Sequence, residues 1–145
     1  MQQRINLQQT EPKAFEAMFE LEKYLSQTDL DRTLVQLIKV RVSQLNRCAF
    51  CIEMHTQELK GSEQKFHLLN AWKDSVAFTE KEKAALQLAE ELTYISEKGV
   101  TDKCYKMVAN VFTNREIGQL IMLTCTINAW NRIAVSTQLV FNKHT

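Results

Sequence analysis

The chain of 145 residues is predicted to be all-α, a compact bundle of about six or seven helices. Three observations carry that prediction. One proline and three glycines are too few to supply the turns of a β-rich fold. Apolar residues recur every three or four positions through most of the chain. Two tetrapeptides, Thr79 to Glu82 and Thr113 to Glu116, have the Thr-x-x-Glu form of a helix-opening capping box.

Each element follows from local chemistry. Pro12 suits a first helical turn, where its missing N–H costs nothing, and Phe15, Met18, Phe19, Leu21, Glu22 and Leu25 follow at helical spacing. Asp29 or Asp31 caps a second helix with the apolar stripe Leu34, Leu37, Ile38, Val42 and Leu45, ending near Asn46 and Arg47. A third helix begins between Cys48 and Phe50 and is expected to run to Gly61, a residue fitted to a left-handed terminus. Ser62 is expected to cap a short helix through Phe66, Leu68 and Leu69. The first capping box opens a helix through Ala84, Ala85, Leu88 and Leu92, and Gly99 breaks the chain beyond it. Thr101 and Asp102 start a helix through Tyr105, Val108 and Val111. The second box opens a long apolar helix, expected to reach about Phe141 and to lie centrally or in a subunit interface.

There is no internal repeat, low-complexity run or long linker, so residues 1–145 are read as one domain. The 18 basic and 17 acidic residues leave a net charge of +1, which gives no electrostatic case for nucleic acid or an anionic membrane. The apolar run from Ile117 to Val140 is interrupted by Asn128, Asn131, Arg132 and Gln138, as a buried helix is and a membrane span is not. The N-terminus is polar and resembles no signal peptide, so the expected location is the cytoplasm. In that compartment a Cys-x-x-Cys is redox-active or metal-binding rather than part of a disulfide scaffold.

Cys48, Cys51 and His55 concentrate proton and electron chemistry within eight residues. The thiolate is the attacking species, and the start of a helix favours an anion. His55 stands one turn beyond Cys51 and two beyond Cys48, on the same helix face. The spacing suggests Cys51 as the attacking thiolate, His55 as its proton acceptor and Cys48 as the resolving thiol. The opposite order is open, because the first cysteine sits nearer the helix end. Zinc is the competing use, but the two thiols and His55 give three ligands where a structural site takes four. Inert buried thiols are the other alternative.

Cys104 and Cys125 read as small core residues. His67 is placed on a helix surface and His144 at a frayed terminus, while Glu53, two residues before His55, points to another face. Asn128, Trp130, Asn131 and Arg132 need hydrogen-bond partners in their apolar helix; Arg41, Ser43 and Gln44 are candidates, or tune the thiols.

The run from Arg41 to His55, Arg-Val-Ser-Gln-Leu-Asn-Arg-Cys-Ala-Phe-Cys-Ile-Glu-Met-His, resembles the core motif of the alkylhydroperoxidase D-like (AhpD-like) proteins of the carboxymuconolactone decarboxylase superfamily. The helix opening from Phe78 and the Asn-Ala-Trp-Asn at 128–131 resemble the same family. The resemblance implies an all-helical subunit assembled as a trimer or hexamer. It also implies peroxidase or disulfide reductase chemistry, with Cys51 peroxidatic, Cys48 resolving and His55 in the family histidine's place. No cofactor or metal is implied. The substrate is a hydroperoxide, and electrons come from a dithiol partner, a lipoyl protein or a thioredoxin-like one. Two positions depart from the pattern. Gln36, twelve residues before Cys48, replaces the usual relay glutamate and cannot take a proton, leaving His55, water, or an acid such as Glu16, Glu20 or Glu53. Arg47 replaces a frequent glycine and sets a cation beside Cys48. Alternatives to the peroxidase are a redox sensor or disulfide reductase, and a non-redox decarboxylase or isomerase, against which the cysteine pair speaks.

Overall fold

A computed structural model describes residues 2–58 and 60–140. Among them are nine α-helices and no strand: α1 (Leu7–Thr10), α2 (Pro12–Ser26), α3 (Arg32–Leu45), α4 (Ala49–Thr56), α5 (Glu63–Leu68), α6 (Glu80–Thr93), α7 (Ile95–Lys98), α8 (Asp102–Ala109) and α9 (Asn114–Thr137), with a 3₁₀ turn at Leu69–Ala71. All seven predicted helices are present. The two additional ones, α1 and α7, are four residues long, too short to show an apolar period in sequence.

The caps explain most boundaries. Asp31, rather than Asp29, accepts the Leu34 N–H at the start of α3. Both capping boxes form, with Glu82 and Glu116 each returning a carboxylate oxygen to the N–H of its cap residue. Three ends differ from expectation. The helix α4 stops at Thr56 instead of Gly61, where the Glu58 N–H bonds to the His55 carbonyl in a tighter i,i+3 turn. Ser62 makes no side-chain cap; Glu63 instead accepts the Gly61 N–H. The last helix ends at Thr137, because Gln138 turns left-handed (φ 55°) and Leu139 donates back to Ala134, closing a Schellman motif. Phe141 and His144 lie outside the described residues.

The helices α3, α6 and α9 form the centre. Leu34, Ile38 and Val42 pack with Ala85, Leu88, Leu120, Leu123 and Ile127. The other side of α3 carries Leu37 and Val40 into a second cluster with Leu69, Trp72, Phe78 and Leu86. Two sides of α3 are therefore packed in the core. Cys104 is buried on α8 as expected, but Cys125 is exposed, which corrects its assignment to the core. On α9 it shares the outward stripe of Gly118 and Met122, at three- and four-residue spacing, while Leu120, Leu123 and Ile127 face inward. Among the described residues no helix is long and apolar enough to cross a membrane.

Candidate active site at the start of α4

Asn131, fully buried on α9, donates to the Ser43 hydroxyl at 3.0 Å and accepts from Asn46 at 2.9 Å. Asn46 also donates to Asn128 at 2.9 Å, and Arg132 donates to the same Asn128 oxygen. Asn128, Asn131 and Arg132 of α9 thus find partners inside the molecule, and of the three candidates on α3 only Ser43 is among them. Arg41 turns away to Glu90 (2.8 Å) and Gln44 (3.3 Å). These amides fix the C-terminal end of α3. Arg47 follows at φ 54°, donating to the Gln44 carbonyl, and Cys48 donates to Ser43, so a Schellman motif reverses the chain. A left-handed residue is needed at 47, which is a physical reason for glycine there; Arg47 adopts it against its side chain's preference.

The chain re-enters a helix at once. Cys48 is the N-cap of α4, and its sulfur accepts the Cys51 N–H at 3.3 Å. Cys48 and Cys51 are joined as a disulfide across a Cα separation of 5.3 Å. Both are buried, with Ala134 behind them and Phe50 and Leu139 alongside. The two devices expected to favour a thiolate therefore act on different sulfurs. The helix N-terminus acts directly on Cys48, whereas His55 shares its surroundings with Cys51.

Each sulfur has its own cavity. On one side a space of about 310 Å³ is lined by Cys51, His55, Met54, Lys39, Glu22 and Trp130, with Phe19 and Glu58 at its wall. On the other, a space of about 410 Å³ is lined by Cys48, Arg47, Glu53 and Val135. Phe50, Ala134 and Leu139 border both. Glu53 accordingly stands with Arg47 on the Cys48 side, away from the wall that holds His55. Glu16 and Glu20 are exposed on α2 and line neither cavity.

The lysine charge in the Cys51 cavity is paired. Lys39, nearly buried, lies 3.2 Å from Glu22, whose other oxygen accepts the Trp130 indole N–H at 3.0 Å. Phe15 and Phe19 pack edge-on and tilted against the Trp130 ring, at 5.3 and 5.7 Å between centroids. Burial first, and the Lys39 cation second, push the His55 pKa down to about 4, against a weaker pull upward from Glu22. The imidazole is thus neutral near pH 7, and its 3.8 Å approach to Glu58 is not an ion pair in that state. Gln36 is buried in the neighbouring turn of α3 and donates to Glu58 at 2.6 Å. Nothing in the sequence marks Glu58, Lys39 or Glu22 as site residues; the i,i+3 spacing of His55 and Glu58 is the one local signal.

The remaining groups stay apart. Cys104 is pushed up to about 11 by burial and by Glu91, which leaves it a protonated, unreactive thiol. His67 is exposed on α5. Among the described residues no three His, Cys, Asp or Glu side chains converge as a metal site would require.

Residues 12–91 match the model of the carboxymuconolactone decarboxylase family. The uncharacterized protein YdfG of Bacillus subtilis is 38% identical over 139 residues, spanning 94% of this chain and 95% of its own. A solved protein of unknown function from Agrobacterium tumefaciens, for which an AhpD antioxidant-defence role has been suggested, is 35% identical and superposes with a TM-score of 0.93 over 97% of this chain and 99% of its own. An uncharacterized peroxidase-related protein of Silicibacter sp. TM1040 shares the fold at 21% identity, with a TM-score of 0.80 over 92% of this chain and 72% of that one. With the all-helical architecture and the paired cysteines at the head of α4, these likenesses make the chain an AhpD-like member of the carboxymuconolactone decarboxylase family.

Proposed function

We propose that this protein is a thiol-dependent peroxidase that reduces hydroperoxides through Cys51 and Cys48. The observation that carries the reading is the placement of Cys51 and His55 on one cavity wall while Cys51 is also within bonding reach of Cys48. His55, neutral near pH 7, takes the Cys51 proton. The thiolate attacks the terminal oxygen of the hydroperoxide; the O–O bond breaks, Cys51 becomes a sulfenic acid, and the departing alkoxide receives the proton from His55. The Cys48 thiol then displaces water and the disulfide forms. An external dithiol, on a lipoyl protein or a thioredoxin-like one, returns two electrons and two protons. In that step Cys48 is the better leaving group, because the Cys51 N–H and the start of α4 stabilise its thiolate. We further propose that three or six copies assemble, covering exposed apolar side chains such as Met122, Tyr24 and Tyr105.

Trapping the intermediate tests the assignment. In Cys48→Ser, a stoichiometric hydroperoxide should leave a dimedone-reactive sulfenic acid on Cys51, located by peptide mass. In Cys51→Ser none should form on Cys48, and its appearance there would reverse the roles. A second reading, a disulfide reductase that turns over hydroperoxide poorly, is favoured by the N-cap position of Cys48. Rapid exchange with a small disulfide but no sulfenic acid in Cys48→Ser would select it.

A further inference from the structure

Two buried polar atoms beside the Cys51 cavity have no hydrogen-bond partner: His55 Nδ1 and Gln36 Oε1. Such atoms are rare in folded proteins because each forfeits its hydration. Both belong to one cluster. Gln36 Nε2 donates to Glu58 Oε2 at 2.6 Å, and the same oxygen lies 3.8 Å from His55 Nδ1. Glu58 sits just past the end of α4, its side chain half-exposed in the turn that closes the helix. A shift of about one ångström would bring its carboxylate within hydrogen-bonding distance of the imidazole. One amide, one carboxylate and one imidazole thus stand in a row with a single strong hydrogen bond among them.

We propose that Glu58 is a positioning residue for the Cys51–His55 pair: steered by the Gln36 amide, its carboxylate closes on His55 and accepts the Nδ1–H when the other ring nitrogen takes the thiol proton. The inference rests on the peroxidase reading only in naming Cys51 as the attacking thiol. Gln36 has no acid–base part; its amide aims the acid supplied by the turn. The charge balance needs such a group. Lys39, reaching the site from α3, disfavours a cationic imidazole, and Glu22, from α2, is already committed to Lys39 and Trp130. Of the carboxylates on the cavity wall, Glu22 favours an imidazolium weakly while bonded to Lys39 and Trp130, whereas Glu58 Oε2 stands 3.8 Å from Nδ1 itself. Once protonated on its second nitrogen, the ring presents Nδ1–H to that carboxylate in a charge-assisted hydrogen bond, and Cys51 is left as the thiolate.

The test is the pH dependence of iodoacetamide alkylation at Cys51. It is measured by peptide mass on reduced protein in a Cys48→Ser background, with and without Glu58→Gln and with the exchange Gln36→Glu/Glu58→Gln. The expected midpoint rises by about one pH unit in Glu58→Gln and returns toward the parent value in the exchange, which restores one amide and one carboxylate across the same hydrogen bond. An unchanged midpoint in Glu58→Gln overturns the proposal. So does a raised midpoint that the exchange fails to lower, since that would mark a structural loss rather than a missing charge. Alkylation consumes no hydroperoxide, so a parent chain that fails to reduce hydroperoxide refutes the peroxidase reading and leaves this result standing on its own.

Discussion

His55 is 6% exposed, with Lys39 nearby and Nδ1 unpaired, and its pKa falls from 6.5 to about 4. Between those values the unfolded chain binds a proton that the folded chain refuses. Its contribution to stability is therefore whole above pH 6.5 and is lost as the pH falls toward 4, by about 3 kcal/mol in all. Urea unfolding of the oxidised protein at pH 7 and 4.5 should show that loss, and His55→Asn should be distinctly less sensitive over the same interval. Equal sensitivity would mean the imidazole is solvated. Lys39 acts in the opposite sense on the two neighbours it shares the cavity with: it disfavours imidazolium and favours thiolate. Lys39→Met should slow alkylation of reduced Cys51 at pH 7 by about three- to tenfold. The sequence displays Cys48, Cys51 and His55 because they fall within two turns of one helix, where spacing alone fixes the shared face. Glu22, Lys39 and Glu58 reach the same space from α2, α3 and the turn after α4, and no local period connects them.

At the scale of elements, the joint between α3 and α4 controls the cysteine pair. A Schellman motif ends one helix and supplies the N-cap of the next within three residues, 46–48. Arg47→Gly removes the left-handed strain and should raise stability by up to about 1 kcal/mol, reduced somewhat by glycine's greater freedom in the unfolded chain. Thermal unfolding of the two proteins gives the sign; a lower midpoint would show that the arginine side chain has a compensating contact. Asn131→Ala leaves Ser43 and Asn46 short of buried partners and should cost about 2–4 kcal/mol. The polar demand of α9 was legible from its sequence, as was Ser43 as a partner. Asn46 was not, because a helix-terminal asparagine reads equally well as a local cap. The early ends of α4 and α9 were hidden for a related reason: Gln138 enters the left-handed region without being glycine, and the turn at Glu58 leaves no compositional mark.

For the whole molecule, scarcity of turn residues was sufficient to give the fold class, and the two capping boxes located α6 and α9 to the residue. What composition left open is how the exterior of α9 is used. A helix apolar nearly all round has an outer stripe, and here that stripe carries Met122 and Cys125 on the surface. The proposed assembly of three or six copies should appear in sedimentation equilibrium at micromolar concentration, and Met122→Glu should dissociate it if α9 forms the contact. A monomer at every concentration would remove the assembly from the account while leaving the cysteine chemistry untouched.

The most direct test of the central claim is a thiol count on the reduced protein, before and after one equivalent of an organic hydroperoxide, for the wild type and for Cys51→Ser. Rapid loss of two thiols is expected in the wild type and none in the variant. Retention of both thiols in the wild type over minutes would contradict that claim, since the pair would then be inert toward peroxide.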